Sequence, residues 1–115
     1  MKTSGQIVLF NFPQTNLNEG KPRPALLVNK LPGQYDGWLI CMISTQIRHY
    51  TPQFDEIIQN NDTDFSNSGL KEPSIIRVGR LAVVEGSTLL GAIGEIDSDR
   101  LQRVKENLAN WIKQP

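Results

Sequence analysis

The sequence predicts a mainly β protein that ends in one amphipathic helix, with its strands arranged as a strongly curved sheet or small barrel. Between Gln6 and Ile96, short runs of β-branched and apolar residues alternate with segments rich in Pro, Gly, Asn and Asp. Beyond Asp97, apolar residues recur at three- and four-residue steps instead, as they do along one face of a helix.

The predicted strands follow the apolar runs in chain order. They cover residues 6–12, 25–28, 38–44, 54–58, 74–84 and 89–96. Turn-forming residues fill the connections, and the polar segment 59–69 is predicted to be a loop. Gly91 and Gly94 interrupt the last run, which predicts a β-bulge at that place.

The helix is predicted to begin after Asp97. Ser98 is placed to cap it, and Asp99 suits the positive end of the helix dipole. Its apolar face comprises Leu101, Val104, Leu108, Trp111 and Ile112, whereas Arg100, Gln102, Arg103, Lys105, Glu106 and Asn110 form the polar face. We expect the apolar face to pack on the sheet and Pro115 to end the helix.

Length and composition indicate a single domain, residues 1–115, that is large enough to bury its own core. The only cysteine, Cys41, lies in an apolar run and is interpreted as a small buried hydrophobe. No intrachain disulfide can form, and a cytoplasmic location is expected. The apolar stretch 7–10 is too short for a signal peptide or a membrane span, so no membrane association is expected.

The charge balance gives no general sign of a nucleic-acid partner. Twelve basic and twelve acidic side chains cancel, so the protein has no overall basic field. Basic residues nevertheless dominate the middle of the chain, at Lys21, Arg23, Arg48, His49, Lys71, Arg77 and Arg80. Two interpretations stay open, a local basic cleft and a scatter of solvated surface charges.

The residue inventory excludes several kinds of site. One histidine and one cysteine cannot supply the usual zinc ligand sets within one chain. The glycine-rich nucleotide-binding motifs do not occur, no acidic cluster has the spacing of a calcium loop, and no serine lies in a nucleophile elbow. The sequence therefore predicts neither metal nor cofactor, and leaves the chemistry to arginine, hydroxyl and carboxylate groups.

Two segments offer groups that suit a phosphate. Pro22 and Pro24 restrict the backbone around Arg23, where a loop enters an apolar strand, so the guanidinium can be presented at low entropic cost. The strand predicted over residues 38–44 leads into Ser44, Thr45 and Gln46, which offer two hydroxyls and an amide. From the residues alone a structural role is favoured for both: Arg23 paired with a carboxylate such as Glu19, and a polar strand end that caps its own backbone.

The ordered set of segments resembles the MazF/PemK toxins of type II toxin–antitoxin systems across nearly the whole chain. The matching segments begin at Gly5-Gln6-Ile7 and continue with Arg23-Pro24-Ala25-Leu26-Leu27-Val28, Ile43-Ser44-Thr45-Gln46, Ser74-Ile75-Ile76-Arg77 and Gly94-Glu95-Ile96. The resemblance implies an SH3-like β-barrel with a C-terminal helix, acting as a homodimer. It also implies a metal-independent endoribonuclease that cleaves single-stranded RNA and is inhibited by a small antitoxin.

The resemblance also implies roles for individual residues. Arg23 and Ser44 match catalytic positions, and Arg77 matches a further catalytic arginine of the PemK branch. Arg23 would stabilise charge while the 2′-OH attacks the adjacent phosphate, and Ser44 would bind a phosphoryl oxygen. The substrate-binding positions are Thr15, Asn18, Glu19, Lys21, Thr45, Gln46 and His49.

Two positions depart from the PemK branch. Gly79 stands where that branch carries the aspartate that serves as general base, and Asn18 stands where it carries a histidine. Either another group serves as base, with Glu19 and His49 as candidates, or activity rests on Arg23 and Ser44. The alternative function is a weakened or inactive module that acts by binding a protein; the related gyrase-poisoning CcdB toxins end in Trp-Gly-Ile, whereas this chain reads Trp111-Ile112-Lys113 there.

Overall fold

In a computed structural model, which describes residues 2–11 and 21–115, the strands form one curled antiparallel sheet. The strands are β1 (Gln6–Phe10), β2 (Arg23–Lys30), β3 (Gly37–Ser44), β4 (Glu56–Ile58), β5 (Ser74–Glu85) and β6 (Ala92–Glu95). Their order across the sheet is β4-β5-β3-β2-β1-β6. A long helix, α2 (Ser98–Lys113), follows the last strand, which confirms the predicted mainly β barrel-like fold with a C-terminal helix.

The strands that read as continuous apolar runs are packed on both faces of the sheet. One face of β1 and β2, with Ile7 and Leu26, packs in a core cluster with Val104 and Leu108 of α2. The other face forms a second cluster that includes Val8, Phe10, Ala25, Leu27, Trp38 and Ile40. Each fully buried aliphatic side chain contributes about 1.5–3 kcal/mol relative to exposure. This double burial explains why β2 lacks the alternation of a half-exposed strand.

Two irregularities bend the sheet. Ile7 lies opposite Gly94 and Val8 opposite Ala92, so Ile93 is an extra residue and the predicted bulge is confirmed. A larger shift separates β3 from β5, where Cys41 lies opposite Leu81 but Met42 lies opposite Arg77. Residues 78–80 therefore have no partner in β3, and the long strand β5 turns at this point.

Several predicted boundaries are wrong by a few residues. The segment 59–69 contains a one-turn helix, α1 (Phe65–Ser68), and is not a loop throughout. The last run, 89–96, forms a strand only from Ala92, after a 3₁₀ turn at Gly86–Thr88. β1 ends at Phe10, and β4 begins at Glu56.

The cap and the end of α2 also differ from the prediction. Asp97 caps the helix in place of Ser98, because its Oδ1 accepts a hydrogen bond of 2.8 Å from the Arg100 N–H. Trp111 and Ile112, assigned to the apolar face, are 52% and 63% exposed. Trp111 packs against Phe54 alone among the described aromatic rings, with ring centroids 6.0 Å apart.

Arg100, predicted on the polar face of α2, is instead buried against three carboxylates. Its guanidinium binds Asp64 at 2.9 Å, Asp62 at 3.0 Å and Glu56 at 3.1 Å. Burial by itself would raise the pKa of the Asp64 carboxyl, but hydrogen bonds from Arg100 and Asp97 and the charge of Arg100 outweigh it and lower that pKa. We call these four residues the Arg100 cluster; it joins α2 to β4 and to the segment before α1.

Candidate functional site

A pocket of about 270 Å³ opens where β2 begins and β3 ends. Because β2 and β3 are antiparallel, with Ala25 opposite Met42, the start of one strand lies beside the end of the other. The pocket, which we call the Arg23 pocket, is lined by Arg23, Ser44, Thr45, Gln46, Lys71, Glu72 and Ser74 together with apolar neighbours. Four residues that the sequence analysis selected are thus brought together.

Arg23 is the first residue of β2 and is half-buried. Pro24 continues into the pocket wall, so the strand and both flanking prolines limit the backbone that carries the guanidinium. No carboxylate of the described residues forms an ion pair with Arg23. Glu19, its expected partner in the structural interpretation, lies outside the described residues.

Ser44 ends β3, and its hydroxyl oxygen accepts a hydrogen bond of 3.0 Å from the Gln46 N–H. This contact is the backbone cap that the structural interpretation expected. It uses only one lone pair of the hydroxyl, and the O–H remains able to donate to a second group. Ser44 can therefore cap the strand end and bind an acceptor, such as a phosphoryl oxygen, at the same time.

Arg77 adjoins the Arg23 pocket without lining it. It lies opposite Met42, which is a lining residue, in the pairing of β3 with β5. Residues directly opposite share one face of a sheet, and side chains two positions apart on a strand do as well. Arg23, Ser44 and Arg77 therefore lie on the same face. Arg77 is half-buried and forms no ion pair with a described carboxylate.

The other predicted substrate-binding residues are not brought into the pocket. His49 is exposed in a 3₁₀ turn, Ile47–His49, and Lys21 is exposed two residues before Arg23; neither lines the pocket. The remaining three, Thr15, Asn18 and Glu19, lie outside the described residues. Their roles stay predictions.

The segment from α1 to the start of β5 contributes to the site, although its residues carry no local pattern that predicts this role. Lys71, Glu72 and Ser74 line the pocket because β5 runs antiparallel to β3, which places the start of β5 beside Ser44. Ser74 is 1% exposed, and its hydroxyl donates to the Glu72 carbonyl at 2.9 Å. The available signal was a Lys-Glu-Pro-Ser segment immediately before a long strand, but only the pairing of that strand shows what it faces.

Gly79 occupies the irregular part of β5 and does not line the pocket. A Cβ atom built on this glycine would lie 3.0 Å from Cε2 of Phe54, whose ring packs against Trp111. An aspartate at this position would require the Phe54 ring to shift by a few tenths of an ångström. The absence of an aspartate at Gly79 therefore agrees with the limited space beside this residue.

The charges of the described residues are unevenly paired. Arg100 binds the carboxylates of Glu56, Asp62 and Asp64, so these three do not neutralise the charge of the pocket. Arg23 and Lys71 line the pocket, and Glu72 is the sole carboxylate-bearing residue in its described lining. The arrangement supports a local basic pocket on a protein of zero formal net charge.

The chemistry of the other candidate groups is limited. Cys41 is fully buried, and burial, with a smaller contribution from Asp55, raises its pKa far above the usual value, which confirms its interpretation as an inert buried side chain. Within residues 2–11 and 21–115, no group of three or more His, Cys, Asp or Glu side chains is placed to hold a metal ion. The same residues include no helix long and apolar enough to cross a membrane.

Comparison with known proteins identifies the family to which these features correspond. Residues 3–112 match the family model described as PemK-like, MazF-like toxin of type II toxin–antitoxin system. No curated protein sequence matches the chain.

Three solved structures resemble the fold over almost its whole length. The Mycobacterium tuberculosis toxin MazF-mt6 is 16% identical with a TM-score of 0.68, over 96% of this chain and 98% of that one. An endoribonuclease in complex with its cognate antitoxin from a mycobacterial species is 12% identical with a TM-score of 0.67, over 100% and 98%. The MazE–MazF structure from Deinococcus radiodurans is 17% identical with a TM-score of 0.69, over 99% of this chain and 97% of that one.

Proposed function

The chain belongs to the PemK-like, MazF-like toxins of type II toxin–antitoxin systems, and we propose that it is an endoribonuclease that cleaves single-stranded RNA in the Arg23 pocket. One observation carries the proposal: Arg23, without a carboxylate partner among the described residues, meets Ser44, Thr45 and Gln46 in one concave site. A half-buried guanidinium that no described carboxylate binds, beside a hydroxyl that can donate, is suited to a phosphodiester.

The proposed reaction is attack of a ribose 2′-OH on the adjacent phosphate. The O2′–P bond forms, the P–O5′ bond breaks, and the products end in a 2′,3′-cyclic phosphate and a 5′-hydroxyl. Negative charge grows on the non-bridging oxygens, where the Arg23 guanidinium and the Ser44 O–H donate hydrogen bonds. Each such hydrogen bond to a charged phosphoryl oxygen lowers the barrier by about 1.5–4 kcal/mol.

The neighbouring residues suit the binding of RNA around this centre. Thr45 and Gln46 are exposed at the pocket and can form hydrogen bonds with the edges of unstacked bases. Arg77, in the adjoining row of the sheet, is proposed as a second catalytic cation. Lys21, two residues before Arg23, and His49, three residues after Gln46, are proposed to contact the RNA backbone. The same role is proposed for Thr15, Asn18 and Glu19.

The assembly and the setting are proposed from the family. A small antitoxin would hold the chain inactive, as the cognate antitoxin accompanies the mycobacterial endoribonuclease and MazE accompanies MazF in the solved complexes. We further propose a cytoplasmic homodimer that acts without metal, because the cationic and hydroxyl groups of the pocket can supply the stabilisation that the reaction needs.

Cleavage of a long, mixed-sequence single-stranded RNA in EDTA tests the proposal. We expect fragments with a 2′,3′-cyclic phosphate and a 5′-hydroxyl, and Arg23→Ala should lower the rate by about 10²–10³-fold. The matched control is Arg103→Ala, since Arg103 is a half-exposed arginine on α2 outside the pocket. Thermal melts should show both variants folded.

Two results would contradict this function. Unchanged cleavage by Arg23→Ala would remove the proposed centre. Wild-type protein that cleaves no long RNA but binds a small antitoxin would instead support the inactive, protein-binding module.

A further inference from the structure

We propose that Glu72 is the general base of the cleavage reaction, an inference that rests on the function proposed above. The 2′-OH must lose a proton as it attacks phosphorus, and the PemK-branch position for that task is Gly79 in this chain. Glu72 is the one residue of the described pocket lining that carries a carboxylate, and no histidine lines the pocket.

The position of Glu72 is well defined at its backbone. It lies two residues before β5, and its carbonyl accepts the hydrogen bond from the buried hydroxyl of Ser74. Its carboxylate forms no ion pair and no hydrogen bond with the described residues. The main chain of Glu72 is therefore held by a hydrogen bond, while no described group binds its carboxylate.

Glu19 lies outside the described residues, and the other candidate bases among the described residues fit less well. His49 is exposed outside the pocket, and Gly79 has no side chain. Asp55 is 5% exposed, and both of its carboxylate oxygens already accept hydrogen bonds from the Thr51 and Val78 N–H groups. Glu72 carries the carboxylate that shares the described pocket lining with Arg23.

The proposed step needs no reactant other than water. A carboxylate oxygen of Glu72 accepts the proton of the 2′-OH, and the electron pair of that O–H bond forms the new O2′–P bond. The P–O5′ bond breaks, and the leaving oxygen takes a proton from water; Glu72 then returns its proton to solvent. The charged groups that line the pocket beside it are Lys71 on its own segment and Arg23 on β2.

Single-turnover cleavage by Glu72→Gln tests the proposal. Glutamine keeps the size of the side chain but cannot act as the base, so the rate should fall by about 10²–10⁴-fold. Binding of an uncleavable 2′-O-methyl RNA should be retained or strengthened, because a negative charge is removed. Glu72→Asp should keep part of the activity, and the matched control Glu106→Gln, on the exposed side of α2, should keep all of it.

The pH dependence separates a base from a merely structural residue. The wild-type rate should level off at higher pH, whereas the rate of Glu72→Gln should keep rising in proportion to hydroxide concentration. A loss of rate accompanied by an equal loss of RNA binding or of folding would overturn the assignment.

Failure of this inference can be told apart from failure of the proposed function. If Glu72→Gln cleaves as fast as wild type while Arg23→Ala is inactive, the general-base assignment is wrong and the function stands. If the wild-type protein cleaves no RNA, both are overturned.

Discussion

Arg100 and Arg23 lie in contrasting surroundings, since one is buried among carboxylates and the other borders a pocket. Arg100 is 7% exposed and binds three carboxylates drawn from β4 and the segment before α1. Arg23 is half-buried at a pocket and has no carboxylate partner among the described residues. A guanidinium with all its donors used stabilises the fold, whereas one left unpaired beside a cavity is available to an anionic ligand.

The contrast depends on where the acids are placed. The Arg100 cluster uses Glu56, Asp62 and Asp64, so these carboxylates are not available to the Arg23 pocket. A protein of zero formal net charge can in this way carry a local positive site. Net charge is therefore a poor guide to the ligand of this chain.

The largest expected effect on stability comes from breaking the Arg100 cluster. Arg100→Ala leaves Asp64 buried without its cation and should lower the free energy of unfolding by about 3–5 kcal/mol. Arg103→Ala removes a half-exposed partner of Glu56 and should cost about 0–1 kcal/mol. Urea unfolding of the two variants measures both; equal costs would show that burial does not distinguish these arginines.

Ser44→Ala should give a smaller effect, and on activity more than on stability. Loss of a hydrogen bond to a charged phosphoryl oxygen costs about 1.5–3 kcal/mol, which corresponds to about a 10–150-fold lower rate of RNA cleavage. Ser44→Thr retains the hydroxyl and should remain active. If Ser44→Ala cleaves normally but melts early, the contact with the Gln46 N–H is the whole role of this side chain.

The smallest expected effect is the response of the Arg100 cluster to acid. The pKa of Asp64 is lower in the folded chain than the unfolded value of about 3.9. Its stabilising contribution is therefore complete above about pH 4 and is lost as the pH falls through the folded pKa. Asp64→Asn should flatten the stability curve in this acid range, as urea unfolding at a series of pH values would show; an unchanged curve would contradict the assignment.

Local features of the sequence were sufficient for the main elements. The apolar run of β2 predicts a strand because backbone geometry places successive side chains on opposite faces, and both faces are packed here. The three- and four-residue spacing of apolar residues predicts α2, because residues at that spacing lie on one face of a helix. Arg23 and Ser44 were selected through the ordered resemblance, and the pairing of β2 with β3 brings them together.

Only the tertiary structure decided which charges are paired and what surrounds the pocket. Helical periodicity predicts Arg100 on the polar face of α2, because it carries no information about carboxylates in β4 and before α1. The sequence alone does not point to Glu72, because its place beside Ser44 depends on the long-range register of β3 with β5. Periodicity reports local backbone geometry and burial, whereas convergence of distant side chains depends on strand pairing, which residues far apart in sequence determine together.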